Sequence, residues 1–123
     1  MRQETVQYFT DKEAEFVNLL TEIGTRKNVA KVLVFLANTP TATSREIERG
    51  TDLRQPEVCI AIKELADHGW AKEGEKGSGN RGRRQKKYSL AVPLKEIITA
   101  IEKAKINETN TRLEHIRKMR EYF

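Results

Sequence analysis

The sequence predicts a mainly α fold completed by one small β-hairpin, and three observations carry that prediction. Apolar residues recur at i, i+3, i+4 and i+7 over most of the chain, the spacing of a helix that buries one face. Glycines, prolines and Thr-x-x-Glu sequences cut those stretches into segments of helix length. Between residues 70 and 90 the helical spacing gives way to two short segments around a glycine-rich loop, the signature of a hairpin.

Phe16, Leu19, Leu20 and Ile23 form the first apolar stripe and Gly24 stops it, which predicts a helix from Lys12 to Ile23. Arg26 to Asn38 repeats the stripe with Val29, Val32, Leu33 and Leu36 and adds Ala30, Val34, Phe35 and Ala37. A segment apolar on nearly all sides is expected to be the central buried helix. Pro40 breaks it, and Thr43-Ser44-Arg45-Glu46 has the form of a capping box that opens a short helix from Ser44 to about Arg49. Gly50-Thr51-Asp52 reads as a tight turn. Pro56 then fits the first turn of a helix, where no intrahelical N–H bond is lost, and Val58, Ala61, Ile62 and Leu65 share its inner face until His68-Gly69 ends it.

Trp70 to Glu75 and Lys86 to Leu90 are the expected strands of the hairpin, joined by a loop carrying Gly77, Gly79 and Gly82; Trp70 and Tyr88 are expected to pack it on the helices. Pro93 opens a further helix on Leu94, Ile97, Ile98 and Ile101. The polar stretch Asn107 to Asn110 interrupts that pattern and leaves two alternatives: a separate last helix capped at Thr111, or one long helix running through. The expected organisation is a core at 26–92 with flanking helices at 1–25 and 93–123.

At 123 residues the chain suits one compact domain with appendages. The longest apolar run, Val32 to Ala37, is far short of a membrane span, and Met1 to Thr10 lacks the layout of a secretory signal, so no membrane partner and a cytoplasmic location are expected. One cysteine excludes an internal disulfide, and two histidines without ligand spacing give no metal site. No phosphate-cradling glycine motif, nucleophile with a base, or carboxylate pair is visible, so neither an enzyme nor a cofactor is expected.

The formal charge is +5, but its distribution is more informative than its size. Lys76, Arg81, Arg83, Arg84, Lys86 and Lys87 lie between residues 76 and 88 with no acidic residue among them, so the rest of the chain is close to neutral. A short helix, a turn and a longer second helix, followed at once by a basic hairpin, is the plan of a helix-turn-helix that holds its second helix for the major groove of duplex DNA. On that plan the outward positions Arg54, Gln55, Glu57, Cys59, Ile60 and Lys63 face base edges. Gln55 suits adenine, Arg54 guanine or a phosphate, and Glu57 a cytosine amino group. Ser44 and Arg45 are placed for phosphate through a side chain and a helix N-terminus. Arg81, Arg83 and Arg84, with Lys86 and Lys87, would follow the backbone or enter the minor groove.

The block from Thr43 to Leu90, TSREIERGTDLRQPEVCIAIKELADHGW followed by GNRGRRQKKYSL, resembles winged helix-turn-helix regulators of the MarR and TrmB-like groups, small archaeal members above all. The resemblance implies base contacts from Gln55, Glu57 and Lys63, a wing arginine at Arg83, and pairing of two subunits through the segment after Pro93. Ile97, Ile98, Ile101, Ile106, Leu113, Ile116 and Phe123 are the apolar residues expected at that homodimer interface. The expected function is sequence-specific, double-stranded DNA-binding transcriptional regulation. The alternative is a winged-helix module for sequence-neutral binding to chromatin or RNA, or for protein interaction. The sequence leaves open whether a small-molecule effector exists.

Overall fold

The computed structural model describes residues 10–76 and 85–123, which divide into two compact units, 1–92 and 93–123. In the first unit, α1 (Asp11–Glu22) begins with a capping box: Thr10 Oγ1 accepts from the Glu13 N–H at 3.2 Å, and Glu13 Oε1 accepts from the Thr10 N–H at 2.9 Å. Val17 and Leu20 are its buried residues, whereas Leu19 and Ile23 are exposed. The buried face is therefore rotated from the stripe expected in the sequence.

Helix α2 (Lys27–Asn38) buries Val29, Ala30 and every residue from Val32 to Leu36. It packs on α1, on the two helices that follow and on the sheet, which makes it the hub the sequence pattern called for. After Pro40 comes a strand absent from the sequence reading, β1 (Ala42–Thr43), whose second residue caps α3 (Ser44–Thr51). The expected capping box is present there, with Thr43 Oγ1 accepting from the Glu46 N–H at 3.2 Å and Glu46 Oε1 accepting from the Thr43 N–H at 2.9 Å.

The turn expected at Gly50 to Asp52 lies further on. Gly50 and Thr51 are still helical, and Thr51, buried, donates its hydroxyl to the Ile47 carbonyl at 2.6 Å. The chain leaves α3 at Asp52, a left-handed residue with φ 61° whose N–H reaches the Glu48 carbonyl. Gly50 is required by packing: a Cβ there would stand 2.6 Å from Phe35 Cδ1, inside any tolerable contact.

Helix α4 (Gln55–Asp67) carries Pro56 in its first turn and buries Val58, Ala61 and Leu65. His68 is its C-cap, and Gly69 follows at φ 80°, the left-handed conformation that ends helices cheaply only at glycine. Strands β2 (Ala71–Lys76) and β3 (Gln85–Leu90) pair antiparallel from Ala71 opposite Leu90 to Lys76 opposite Gln85. Strand β1 pairs with the other edge of β3, Ala42 opposite Tyr88 and Thr43 opposite Lys87, giving a three-stranded sheet in the order β1-β3-β2. The core of this unit gathers Leu20, Val32, Leu33, Ile47, Val58 and Leu65, each at most 3% exposed.

The second unit is a single helix, α5 (Leu94–Glu121), 28 residues long with Pro93 as its N-cap. The expected interruption at Asn107 to Asn110 does not break it, so the continuous alternative is the one observed, about 42 Å at 1.5 Å per residue. No described helix is long and apolar enough to cross a membrane.

Candidate nucleic-acid interface

The candidate interface is built on the difference between the two sides of α4. One side is fixed in the core by Val58, Ala61 and Leu65, and Arg54, Gln55, Pro56, Glu57, Cys59, Ile60 and Lys63 are all exposed. At about 100° per residue, Pro56 and Lys63 fall within roughly 15° of the outward pole, and Cys59 and Ile60 about 50° to either side of it. Gln55 and Glu57 fall on the two flanks, each about 100° from that pole.

Glu57 has a second task. Its Oε1 accepts from the Arg54 N–H at 2.9 Å, so the carboxylate bends back to cap its own helix. The same holds at α3, where Glu46 serves the Thr43 N–H. Each helix start thus carries a carboxylate that opposes a phosphate, and the cations beside them, exposed Arg54 and exposed Arg45, are the groups suited to an anion. Ser44 is half-buried. Lys63 is paired with Asp67 at 3.7 Å, but with the two side chains 78% and 67% exposed this i,i+4 pair is worth at most a few tenths of a kcal/mol and leaves Lys63 free to turn elsewhere.

A part of this surface absent from the sequence reading comes from α2. Arg26, Lys27, Asn28 and Val29 at its start join Glu57, Ile60 and Ala61 of α4 around an open depression of about 320 Å³. Arg26 reaches Glu64 at 3.8 Å and ties the two helices together. The available signal was two adjacent cations opening an otherwise apolar helix, a pattern easily taken for simple solvation of a helix end.

Of the hairpin cations, Lys86 is exposed and pairs across the sheet with Glu73 at 3.5 Å, and Lys87 is half-buried. Arg81, Arg83 and Arg84 lie outside the described residues. Tyr88, half-buried on the central strand, has its phenol pushed above the usual tyrosine range, first by burial and then by the Glu73 carboxylate facing it. The His68 and Trp70 rings stack at 4.3 Å where α4 passes into the hairpin.

On α5, Ile97 is fully buried, Ile98 and Ile101 are half-buried, and Ile106, Leu113 and Ile116 are exposed, as is Phe123 beyond its end. Met119 and Tyr122 add to the exposed apolar surface of the last turns.

The chain matches no family model and none of the curated proteins. Its fold does match solved structures. A "possible transcriptional regulator" of Methanosarcina mazei Go1 superposes with a TM-score of 0.64 at 17% identity, over 86% of this chain and 87% of that one. TrmBL2, an archaeal chromatin protein that binds DNA by a novel mode, gives a TM-score of 0.70 at 19% identity, over 89% of this chain and 39% of its own. A MarR family transcriptional regulator from Silicibacter pomeroyi DSS gives 0.55 at 17% identity, over 83% and 65%. The fold is a winged helix. Its helix-turn-helix is α3 and α4, its wing is β2 and β3, and β1 supplies the third strand of the winged-helix sheet. The mainly α fold with a small hairpin expected from the sequence is the one observed, and the similarity to MarR-family and TrmBL2 structures agrees with the resemblance seen in residues 43–90.

Proposed function

We propose that the chain is a transcriptional regulator that reads double-stranded DNA through α4 and holds the backbone through its wing. The observation that carries this reading is the exposed face of α4 from Arg54 to Lys63, mounted on a helix whose other side is locked into the core. A rigid support is what converts a row of side chains into a reader, because base edges are distinguished only by groups held in register with them. Lys63 and Gln55 would contact bases, with Glu57 dividing its oxygens between its cap and a cytosine amino group. Arg45 and Arg54 would meet phosphates, joined by Lys86, Lys87 and the wing arginines Arg81, Arg83 and Arg84.

The same reading includes a homodimer. Ile106, Leu113, Ile116 and Met119 of α5, with Phe123 just beyond its end, are apolar and exposed, and a second copy of that helix is the occupant of matching chemistry. Two copies would carry two reading helices, so the expected site is a palindrome. If each protomer neutralises three to five phosphates, log affinity falls against log salt with a slope of roughly −5 to −9.

Selection of bound duplexes from a random DNA pool tests the proposal. An enriched palindrome supports sequence reading. Recovery of unselected DNA overturns it in favour of sequence-neutral binding, the second reading, which the likeness to a chromatin protein favours.

A further inference from the structure

Ile60 is an anomaly on the face just described. It is 59% exposed, the only large aliphatic residue so exposed among the described residues of α4, and it stands about 50° from the outward pole, on the exposed half of the helix. Pro56 at the pole and Cys59 on its other side add carbon and sulfur surface without a strong hydrogen-bond donor, so the first two turns of the exposed face present apolar matter between Gln55 and Glu57 on the flanks, with Lys63 following at the pole. Cations stand close by: Arg26 and Lys27 share the depression beside Ile60 with Glu57, and Lys63 lies one turn further along the helix, the exposed pairs of Arg26 with Glu64 and of Lys63 with Asp67 being weak enough to open to an anion. An apolar spot framed by cations fits a partner that is anionic at its rim and carries one small apolar group within. Duplex DNA answers that description in its major groove, where the phosphates form the rim and the C5-methyl of a pyrimidine is the apolar group.

We infer that Ile60 is a specificity-determining residue that selects a C5-methylated pyrimidine, thymine in ordinary DNA, in each half-site. This rests on the reading of α4 as the major-groove helix and adds to it the identity of one base. Gln55, Glu57 and Lys63 set hydrogen bonds, and Ile60 between them sets a methyl contact. Removing the methyl exposes the δ-carbon of Ile60 to water again and leaves every hydrogen bond in place.

The test uses the full chain and the duplex enriched from the random pool, with each thymine replaced in turn by deoxyuridine, which lacks only the methyl. At one position per half-site the replacement is expected to weaken binding about four-fold, the effect of returning one buried methyl to water, and roughly fifteen-fold when both half-sites are changed. Ile60→Ala is expected to bind the thymine duplex more weakly and to make no distinction between thymine and uracil, while Ile60→Val keeps the distinction. A cytosine and a 5-methylcytosine duplex at the same position separate recognition of the methyl alone from recognition of the whole thymine edge. Because Ile60 is exposed, Ile60→Ala is expected to melt with the parent chain, and its melting curve confirms that the variant is folded. An enriched sequence that tolerates uracil everywhere overturns this inference and leaves the regulator standing. Full discrimination by Ile60→Ala, or an Ile60→Ala defect seen only with a protein partner and not with DNA, also overturns it. Absence of any enriched sequence overturns both.

Discussion

Helices α2 and α4 are nearly equal in length, 12 and 13 residues, and differ in almost everything else. The first buries seven residues and presents few side chains to solvent. The second buries three and offers a continuous exposed face. The difference shows how the molecule divides its work. Packing free energy is concentrated in α2, so α4 needs only a narrow apolar stripe to be held in place and the rest of its circumference is free for chemistry. A helix buried all round cannot read anything, and one exposed all round would not stay in register.

The comparison predicts that substitutions in α2 act on stability and those on the outer side of α4 act on binding. Leu33→Ala, at a site 1% exposed, is expected to cost about 2–5 kcal/mol in chemical denaturation. A cost below 1 kcal/mol would mean that the hub is looser than its burial implies. Gly50→Ala forces a methyl into the Phe35 ring and should cost about 1–3 kcal/mol, although alanine is the better helix former. If the substitution stabilises the protein instead, the tight packing of α3 on α2 is wrong. Thr43→Ala removes the N-cap of α3 and is expected to cost about 1 kcal/mol.

Lys63→Ala on the outer side of α4 should change stability by less than about 0.5 kcal/mol, since its ion pair with Asp67 is exposed, yet weaken DNA binding measurably in a fluorescence titration. A stability loss as large as that of Thr43→Ala would blur the division between the two helices. The smallest effect concerns pH. Because the folded Tyr88 holds its proton more firmly than an unfolded tyrosine, its contribution to stability is level below about pH 10, where both forms are protonated, and falls as pH rises through the higher folded value. Tyr88→Phe should remove that part of the alkaline decline when the two unfolding profiles are compared.

Much of this was legible in the sequence, for local reasons. Thr43 and Glu46, Gly69 and Pro93 act on the backbone within one turn of themselves, so their spacing reveals helix ends directly. The apolar surround of α2 likewise carries its burial in its composition. Gly50 misled because a glycine required by a ring from another helix looks in sequence like a glycine required by a turn; only Phe35, fifteen positions away, distinguishes them. Strand β1 was invisible because two residues contain no period. Spacing could not choose between the two alternatives at Asn107 to Asn110 because all four residues are exposed, and polar side chains on a solvated helix interrupt a stripe without interrupting the backbone. At the candidate interface, the exposed residues of α4 followed from periodicity, whereas Arg26 and Lys27 are brought beside Ile60 by tertiary packing that no spacing records.

The two-residue strand β1 has a bearing on how the protein opens. Thr43 pairs with Lys87 in the sheet and at the same time caps α3, so one residue belongs to two cooperative structures. Loss of the sheet edge therefore uncaps the helix, and fraying of the helix start strips the edge. Amide protons in the first turn of α3 and along the β1-facing edge of β3 should exchange with solvent as one unit, at a common free energy of opening. The base of β3 and the start of α3 then form a single foldon, and that end of the sheet cannot drift from α3 without local unfolding.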